Sequence, residues 1–342
     1  MAVTLKDVAL LAGVSTSTVS RTCKDHPSIS EETKEKVRRA MAELGYDAGS
    51  LTPPSAPQEP KTIGIILPPS RKETYENTFY LEAARGISAF CNQKLYMTTL
   101  ITGYDEEEIL AAIQSMVKNN QVECFIVMYS KLDDSITQYL YSEGLLYVLI
   151  GKANQYAHQT IHIDNDNLLA GQEATEYLIK KGHQRIGYIG KDPNILFSAD
   201  RKSGYRLALM NHNLTINPAH CIDLSKQRKD YFNIIKEYLL QPNRPTAVVV
   251  SDDIIAFTLK FVCHELNIRI PDDLSIVGFN NSILAQMSTP SLTSIDINAF
   301  QLGIEAASQI INHIENPNLL ATKIIVPHQL IERESCKEYT AP

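Results

Sequence analysis

The chain has 342 residues, 44% hydrophobic and 21% charged, with a net charge of −7. That is enough globular material for two or three compact units, and it excludes a collagen-like, largely disordered or disulfide-framework chain. The longest apolar runs, at 62–67 and 247–250, fall far short of the ~18 residues a bilayer span needs. Residues 1–30 carry no signal-peptide pattern. Six cysteines (Cys23, Cys91, Cys124, Cys221, Cys263, Cys336) are scattered without metal or redox spacing, as reduced cytosolic thiols would be.

The charge is unevenly divided. Residues 1–46 hold seven Lys/Arg against six Asp/Glu, a net +1, which leaves −8 for the remainder. This head begins with Thr4-Leu5-Lys6-Asp7, a capping box in which each end residue satisfies an amide of the other. Val8, Ala9 and Ala12 supply one apolar face. Gly13 suits a turn of positive φ, and Ser15 can cap a second helix over 16–22. That helix buries Val19 and turns Thr16, Ser17, Ser20 and Arg21 outward. A third helix starts after the cap Ser30 and buries Val37, Ala40, Met41 and Leu44. Short hydroxyls and an Arg on an exposed helix suit a DNA major groove. The same three-helix bundle could also serve protein contact, and the residues alone leave both open.

Residues 47–61 contain four prolines in fifteen residues and read as a linker. Pro53-Pro54 blocks a continuous helix there. From 62 onward, apolar strands at 62–67, 96–101, 124–128, 146–150, 186–189, 247–250 and 275–278 alternate with helical patterns. Ile109, Ala112, Ile113, Met116 and Val117 share one helix face. A second helix spans 168–181 and stops at Gly182, and a third runs through Gly303, Ala306, Ala307, Ile310 and Ile314. Continuous apolar strands alternating with helices predict doubly wound parallel sheets, in two lobes for about 280 residues.

No Walker loop, dinucleotide GxGxxG, nucleophile elbow or HExxH is present. His162 with Asp164 and Asp166 could suggest a metal, but loop solvation or capping accounts for them, and no metal or cofactor is expected. Three classes remain open at this level. A DNA-binding regulator fits the head. A sugar-metabolising enzyme with a head would need a nucleotide phosphate motif, and a secreted binding protein would need a signal peptide.

The strings Val3-Thr4-Leu5-Lys6-Asp7-Val8-Ala9, Ala12-Gly13-Val14-Ser15, Ser17-Thr18-Val19-Ser20-Arg21 and Leu44-Gly45-Tyr46 resemble the DNA-binding head of the lactose-repressor (LacI/GalR) family. The resemblance implies that Thr16, Ser17 and Arg21 read the operator's major groove. It implies that Ser15, Ser30, Thr33 and Lys36 fasten the head to phosphates, with Thr4 and Ser20 on the same DNA-facing side. One stretch departs from the family. Ala48-Gly49, Thr52-Pro53 and Ser55 stand where relatives carry Pro-Asn, Ala-Arg and a wedge Leu. A hinge helix with a minor-groove wedge is therefore not expected.

The resemblance continues through Lys61-Thr62-Ile63-Gly64-Ile65-Ile66, Lys181-Gly182-His183-Gln184-Arg185-Ile186, Arg201-Lys202-Ser203-Gly204-Tyr205, Val277-Gly278-Phe279 and Leu330-Ile331-Glu332-Arg333. It implies a periplasmic-binding-protein-like core with a sugar cleft at the strands' C-terminal ends. Arg201 matches the family's sugar-gripping fork. At least one of Asp252 and Asp253 would face the cleft of the second lobe, a structural helix cap being the alternative, and Asn280 would join it; Tyr75, Asn77, Phe79, Tyr80 and Tyr129 are the cleft candidates of the first.

These motifs set the expected organisation. It comprises a head at 1–46, a linker at 47–61 and a two-lobed effector-binding and dimerisation unit at 62–342. Lobe 1 would take about 62–160 and 292–321, and lobe 2 about 161–291 and 322–338. The wording at 149–152, 164–167 and 174–182 is similar to maltose-operon repressors within the family. That implies a homodimeric, cytoplasmic repressor on a near-palindromic double-stranded operator, with maltose or a maltodextrin as effector. The alternative is a catabolite-type regulator or activator answering another sugar or a nucleoside.

Overall fold

The computed structural model describes residues 3–23, 26, 29–46, 61–70, 76–224 and 230–340. The linker, including the Pro53-Pro54 hinge reading, and Tyr75 lie outside them.

The head forms as its caps dictate. Helices α1 (Leu5–Ala12), α2 (Thr16–Cys23) and α3 (Glu31–Leu44) surround Val8, Val19 and Val37, each wholly buried. The Thr4–Asp7 capping box is present, with Thr4 N donating to Asp7 Oδ2 at 2.8 Å. Gly13 takes φ 67° between α1 and α2, where a side chain would be strained. Ser15 Oγ then accepts from Thr18 N at 3.1 Å, and Ser30 Oγ from Thr33 N at 3.3 Å.

The body holds two six-stranded sheets. The first has the order β11–β5–β4–β3–β1–β2, with β1 (Thr62–Ile66), β2 (Met97–Ile101), β3 (Cys124–Val127), β4 (Leu146–Ile150), β5 (Ile161–Asp164) and β11 (Lys323–Ile325). All its pairings are parallel. The second has the order β12–β10–β9–β8–β6–β7, with β6 (Ile186–Lys191), β7 (Cys221–Leu224), β8 (Ala247–Val250), β9 (Ser275–Phe279), β10 (Thr293–Asp296) and β12 (Gln329–Ile331). Here only β12 runs antiparallel, against β10. Each sheet has an apolar cluster on both faces, which is why β3 and β8 are buried at every residue.

The first lobe adds helices α4 (Thr78–Gln93), α5 (Glu106–Lys118) and α6 (Ser135–Ser142). The second adds α7 (Asn167–Lys180), α8 (Leu196–Asn211), α9 (Tyr231–Leu239), α10 (Asp253–Glu265) and α11 (Ile283–Met287). The chain then returns to the first lobe, where α12 (Ala299–Glu315) packs on α4.

The lobe boundaries differ from the expected ones. β5 belongs to the first sheet and β10 to the second, so the crossings follow Asp164, Asp296 and Ile325. Both strands are four residues long and partly polar, IHID and TSID, so apolar runs did not reveal them. Thr293 and Ser294 are buried in β10 because Ser335 Oγ and Asp253 Oδ1 satisfy that strand at 2.8 Å each.

Helices α4 and α12 close to backbone contact through Gly86 and Gly303, and α7 and α8 do so through Gly171 and Gly204. A Cβ on Gly204 of α8 would stand 2.0 Å from the Leu168 carbonyl oxygen of α7, and one on Gly171 of α7 2.2 Å from the Arg201 carbonyl oxygen. This pair sets where Arg201 sits. Gly204→Ala should therefore cost about 1–3 kcal/mol through overpacking, read as a lowered urea midpoint at unchanged slope. An unchanged midpoint would show that the two helices can part freely.

Candidate functional site

Parallel strands present their C-terminal ends to the gap between the sheets, and a cavity of about 330 Å³ opens there. Its walls come from segments following seven strands, beginning with Pro68 and Pro69 after β1. Met128, Tyr129 and Ser130 follow β3, Ile150 to Lys152 end β4, and Asp164 and Asn165 end β5. Asp192, Asn280 and Ile297 follow β6, β9 and β10. Asn165 holds the crossing segments together, its Nδ2 donating to the Ile297 carbonyl at 3.0 Å and the Val326 carbonyl at 2.8 Å.

Arg201 is the buried cation of this cavity, only 3% exposed. Its Nε donates to Asn167 Oδ1 at 2.9 Å and its Nη1 to the Ser251 carbonyl at 2.6 Å. The guanidinium lies 4.7 Å from the Phe197 ring centroid and 4.2 Å from that of Phe279. Burial pushes it down to about 10, while Tyr188, Asp252, Asp164 and Asp253 oppose the shift, so it stays cationic at neutral pH. Among the described residues its Nη2 makes no protein hydrogen bond, which leaves one arm of the fork for a ligand.

Asp164 lines the same cavity, and the sequence reading did not single it out for a ligand. Its Oδ1 accepts from Asn165 N at 2.8 Å and Asn167 Nδ2 at 2.9 Å. Burial pushes its carboxyl up to about 6 against those bonds and the nearby Arg201 charge. The signal available was its position at the end of a short strand, which periodicity had not marked. No group of three potential metal-ligating side chains occurs among the described residues.

The structure brings Asn77, Phe79, Tyr80, Tyr129, Arg201 and Asn280 to the cavity wall. Asn77 also caps α4, accepting from Phe79 N at 3.1 Å. Asn280 is held at φ 103°, a strained conformation for a residue with a side chain. Asp252 and Asp253 are a correction, since neither lines the cavity. Asp252 caps α10 through Ile255 N at 2.9 Å and pairs with Lys191 Nζ at 2.8 Å. Asp253 accepts from Ser282 N and Ser294 Oγ, each at 2.8 Å, and burial raises its carboxyl to about 7. Both carboxylates are thus used inward, in fixing α10 and the turn after β9.

In the head, Ser15, Thr16, Ser17, Ser20 and Arg21 are half-buried on or just before α2. Thr16 Oγ1 donates to Asn120 Oδ1 of the first lobe at 2.9 Å. Burial also lowers the Arg21 guanidinium below its ordinary value, with charges at Cys124 and Glu123 opposing. Ser30 and Thr33 share a 2.8 Å hydroxyl bond at the start of α3. Lys36 is exposed and pairs with Glu32 at 3.0 Å. Thr4 is engaged by Asp7 through a 2.6 Å hydroxyl bond.

Comparison with known proteins follows this division. The model for bacterial regulatory proteins of the lacI family matches residues 4–48, and that for a periplasmic binding protein-like domain matches 175–336. The HTH-type transcriptional regulator MalR of Staphylococcus xylosus is 35% identical over 97% of this chain and 98% of its own length. A solved transcriptional regulator LacI of Bacillus cereus subsp. cytotoxis superposes with a TM-score of 0.78 at 33% identity, covering 82% of this chain and 100% of that one. The probable maltose operon transcriptional repressor malR of Staphylococcus aureus gives 0.73 at 32%, over 80% and 97%.

Proposed function

The chain belongs to the lacI family of bacterial regulatory proteins, and on that premise we propose that it is a cytoplasmic, homodimeric repressor of a maltose or maltodextrin operon, not an enzyme. Two heads would occupy the half-sites of a near-palindromic operator, one per protomer. Sugar in the cleft would favour one lobe arrangement, and the linker would relay it as a change in head spacing.

The observation that carries this reading is the Arg201 fork, desolvated between two aromatic rings with one arm aimed into a cavity that also holds Asp164. A forked cation grips vicinal hydroxyls, a carboxylate accepts from them, and aromatic rings such as Phe79 and Phe197 cover the apolar sugar face. No helix among the described residues is long and apolar enough to cross a membrane. Large apolar side chains stay exposed on both lobes: Leu81, Met97 and Leu100 on the first, Phe261, Ile283 and Met287 on the second. Such a surface is what a second copy would cover.

Selection of random duplexes on the purified protein should enrich a near-palindrome, and maltose or maltotriose should lower its occupancy. Enrichment without any maltodextrin effect would retain the regulator and remove the sugar assignment.

Asp164 adds a pH dependence. A carboxylate accepts a sugar hydroxyl with charge assistance and a carboxylic acid does not. Affinity for maltose should therefore fall as pH drops through about 6, approaching tenfold per unit below it. Asp164→Asn should bind more weakly at pH 7.5 and lose this slope. Calorimetry at pH 5, 6 and 7.5 checks it, and a flat wild-type profile would show that Asp164 does not meet the sugar.

A further inference from the structure

Arg201 and Asp164 are held by one and the same side chain. Asn167 opens α7 just after the first crossing between the lobes, lines the cavity and is only 3% exposed. Its Oδ1 accepts from Arg201 Nε at 2.9 Å, and its Nδ2 donates to Asp164 Oδ1 at 2.9 Å. The same Nδ2 also faces the Asn165 carbonyl at 3.4 Å. A guanidinium nitrogen only donates, so the amide oxygen must face Arg201 and the amide nitrogen must face Asp164. The glycine contact between α7 and α8 holds the start of one helix against Arg201 of the other. With that spacing fixed, a short side chain carrying an acceptor and a donor on one carbon meets both partners.

The consequence is a division of roles. Arg201 commits Nε to Asn167 and Nη1 to the Ser251 carbonyl, which leaves Nη2 for a ligand. Asp164 commits Oδ1 to the Asn165 amide and to Asn167, and among the described residues its Oδ2 makes no hydrogen bond to protein. One free donor and one free acceptor result, each aimed by the same amide. Removing that amide acts on both. Arg201 Nε loses its acceptor in a desolvated place, and Asp164 loses a donor that favours its charged form. The charges facing Asp164 are both on α8: Arg201 favours the carboxylate, and Asp200, itself paired with Lys152, opposes it.

We propose that Asn167 is the specificity-determining positioning residue of this cavity, its amide setting Arg201 as the donor and Asp164 as the acceptor for one pair of adjacent sugar hydroxyls. This assignment deepens the sugar reading of the cleft and rests on it.

Calorimetry of Asn167→Ala with maltose from pH 5 to 8.5, beside a urea titration, tests the assignment. Affinity at pH 7.5 should fall by about tenfold or more. The pH below which affinity declines should also rise by about half a pH unit or more, because Asp164 has lost a donor. A merely structural residue would lower affinity by one factor at every pH. An unmoved profile therefore overturns the positioning role, as does an affinity within about threefold of wild type. Asn167→Ser keeps a polar group at the start of α7 but meets one partner at a time. It should move the profile in the same direction, and it answers for an alanine variant that does not fold. If the wild type binds no maltose, the sugar reading fails by itself. Asn167 is then judged on the unliganded protein, by NMR of the Asp164 carboxyl carbon, identified through its loss in Asp164→Asn. An upward displacement of that titration in Asn167→Ala supports the positioning role, and an unmoved one overturns it.

Discussion

Arg201→Ala should abolish the sugar response and leave operator binding within about twofold of wild type. The guanidinium makes two bonds to protein at 2.9 and 2.6 Å and offers a third nitrogen to the cavity. Hydrogen bonds from a charged donor are worth about 1.5–3 kcal/mol each, so losing a two-hydroxyl grip should weaken sugar binding by a hundredfold or more. The substitution also leaves a void between Phe197 and Phe279 and an orphaned Ser251 carbonyl, so some stability is lost with it. Arg201→Lys separates the two effects. It keeps the charge and most of the volume but has no planar fork, and it should fold near wild type while still losing most sugar affinity. Calorimetry with maltose and a urea titration on both variants make the comparison. A lysine variant that binds sugar normally would take the fork out of recognition.

The second large effect lies in the head. Arg21→Ala should lower operator affinity by about 1–3 kcal/mol per half-site if it reads a base, hence by roughly thirtyfold or more for a dimer. Base specificity at that position should relax, and the salt dependence should stay close to wild type. Lys36→Ala should behave oppositely, weakening all sequences alike and reducing the slope of log affinity against log salt by about two per dimer. Fluorescence anisotropy at three salt concentrations decides it. An Arg21→Ala protein with unchanged affinity would mean that this residue serves the Asn120–Glu123 side of the first lobe rather than DNA.

The sequence made the head and the central strands legible because their signals are local. A Thr4–Asp7 box, a Gly at φ 67° and four-residue apolar runs each report on neighbours within one turn or one strand. What stayed hidden depends on partners far along the chain. β10 reads as polar because its satisfying groups, Asp253 and Ser335, lie about 40 residues away on either side. Asp252 and Asp253 look like cleft carboxylates beside an apolar strand, yet a lysine at 191 and two serines beyond 280 draw them inward. Asp164 reads from sequence as a solvated or capping group for the converse reason, as its neighbours Asn167 and Arg201 come from the second lobe. An antiparallel bridge between Lys131 and Ile195 has no sequence signature, since main-chain groups make it.

Arg201, which the family resemblance and not composition singles out, stands at the cavity wall. Of the two readings open for Asp252, cleft ligand or helix cap, the structure shows the cap on α10. Net charge was the least informative quantity. The acidic body is a sensor, and the part that meets DNA is almost uncharged on balance.

The central claim is that sugar in this cleft controls DNA occupancy by the head. Labelled operator duplex, saturated by the full-length protein at physiological salt, is titrated with maltose while anisotropy is followed. The account predicts release of the duplex by maltose in the wild type and none in Arg201→Lys. Occupancy unchanged by maltose in the wild type, with sugar binding confirmed on the same sample, would contradict it.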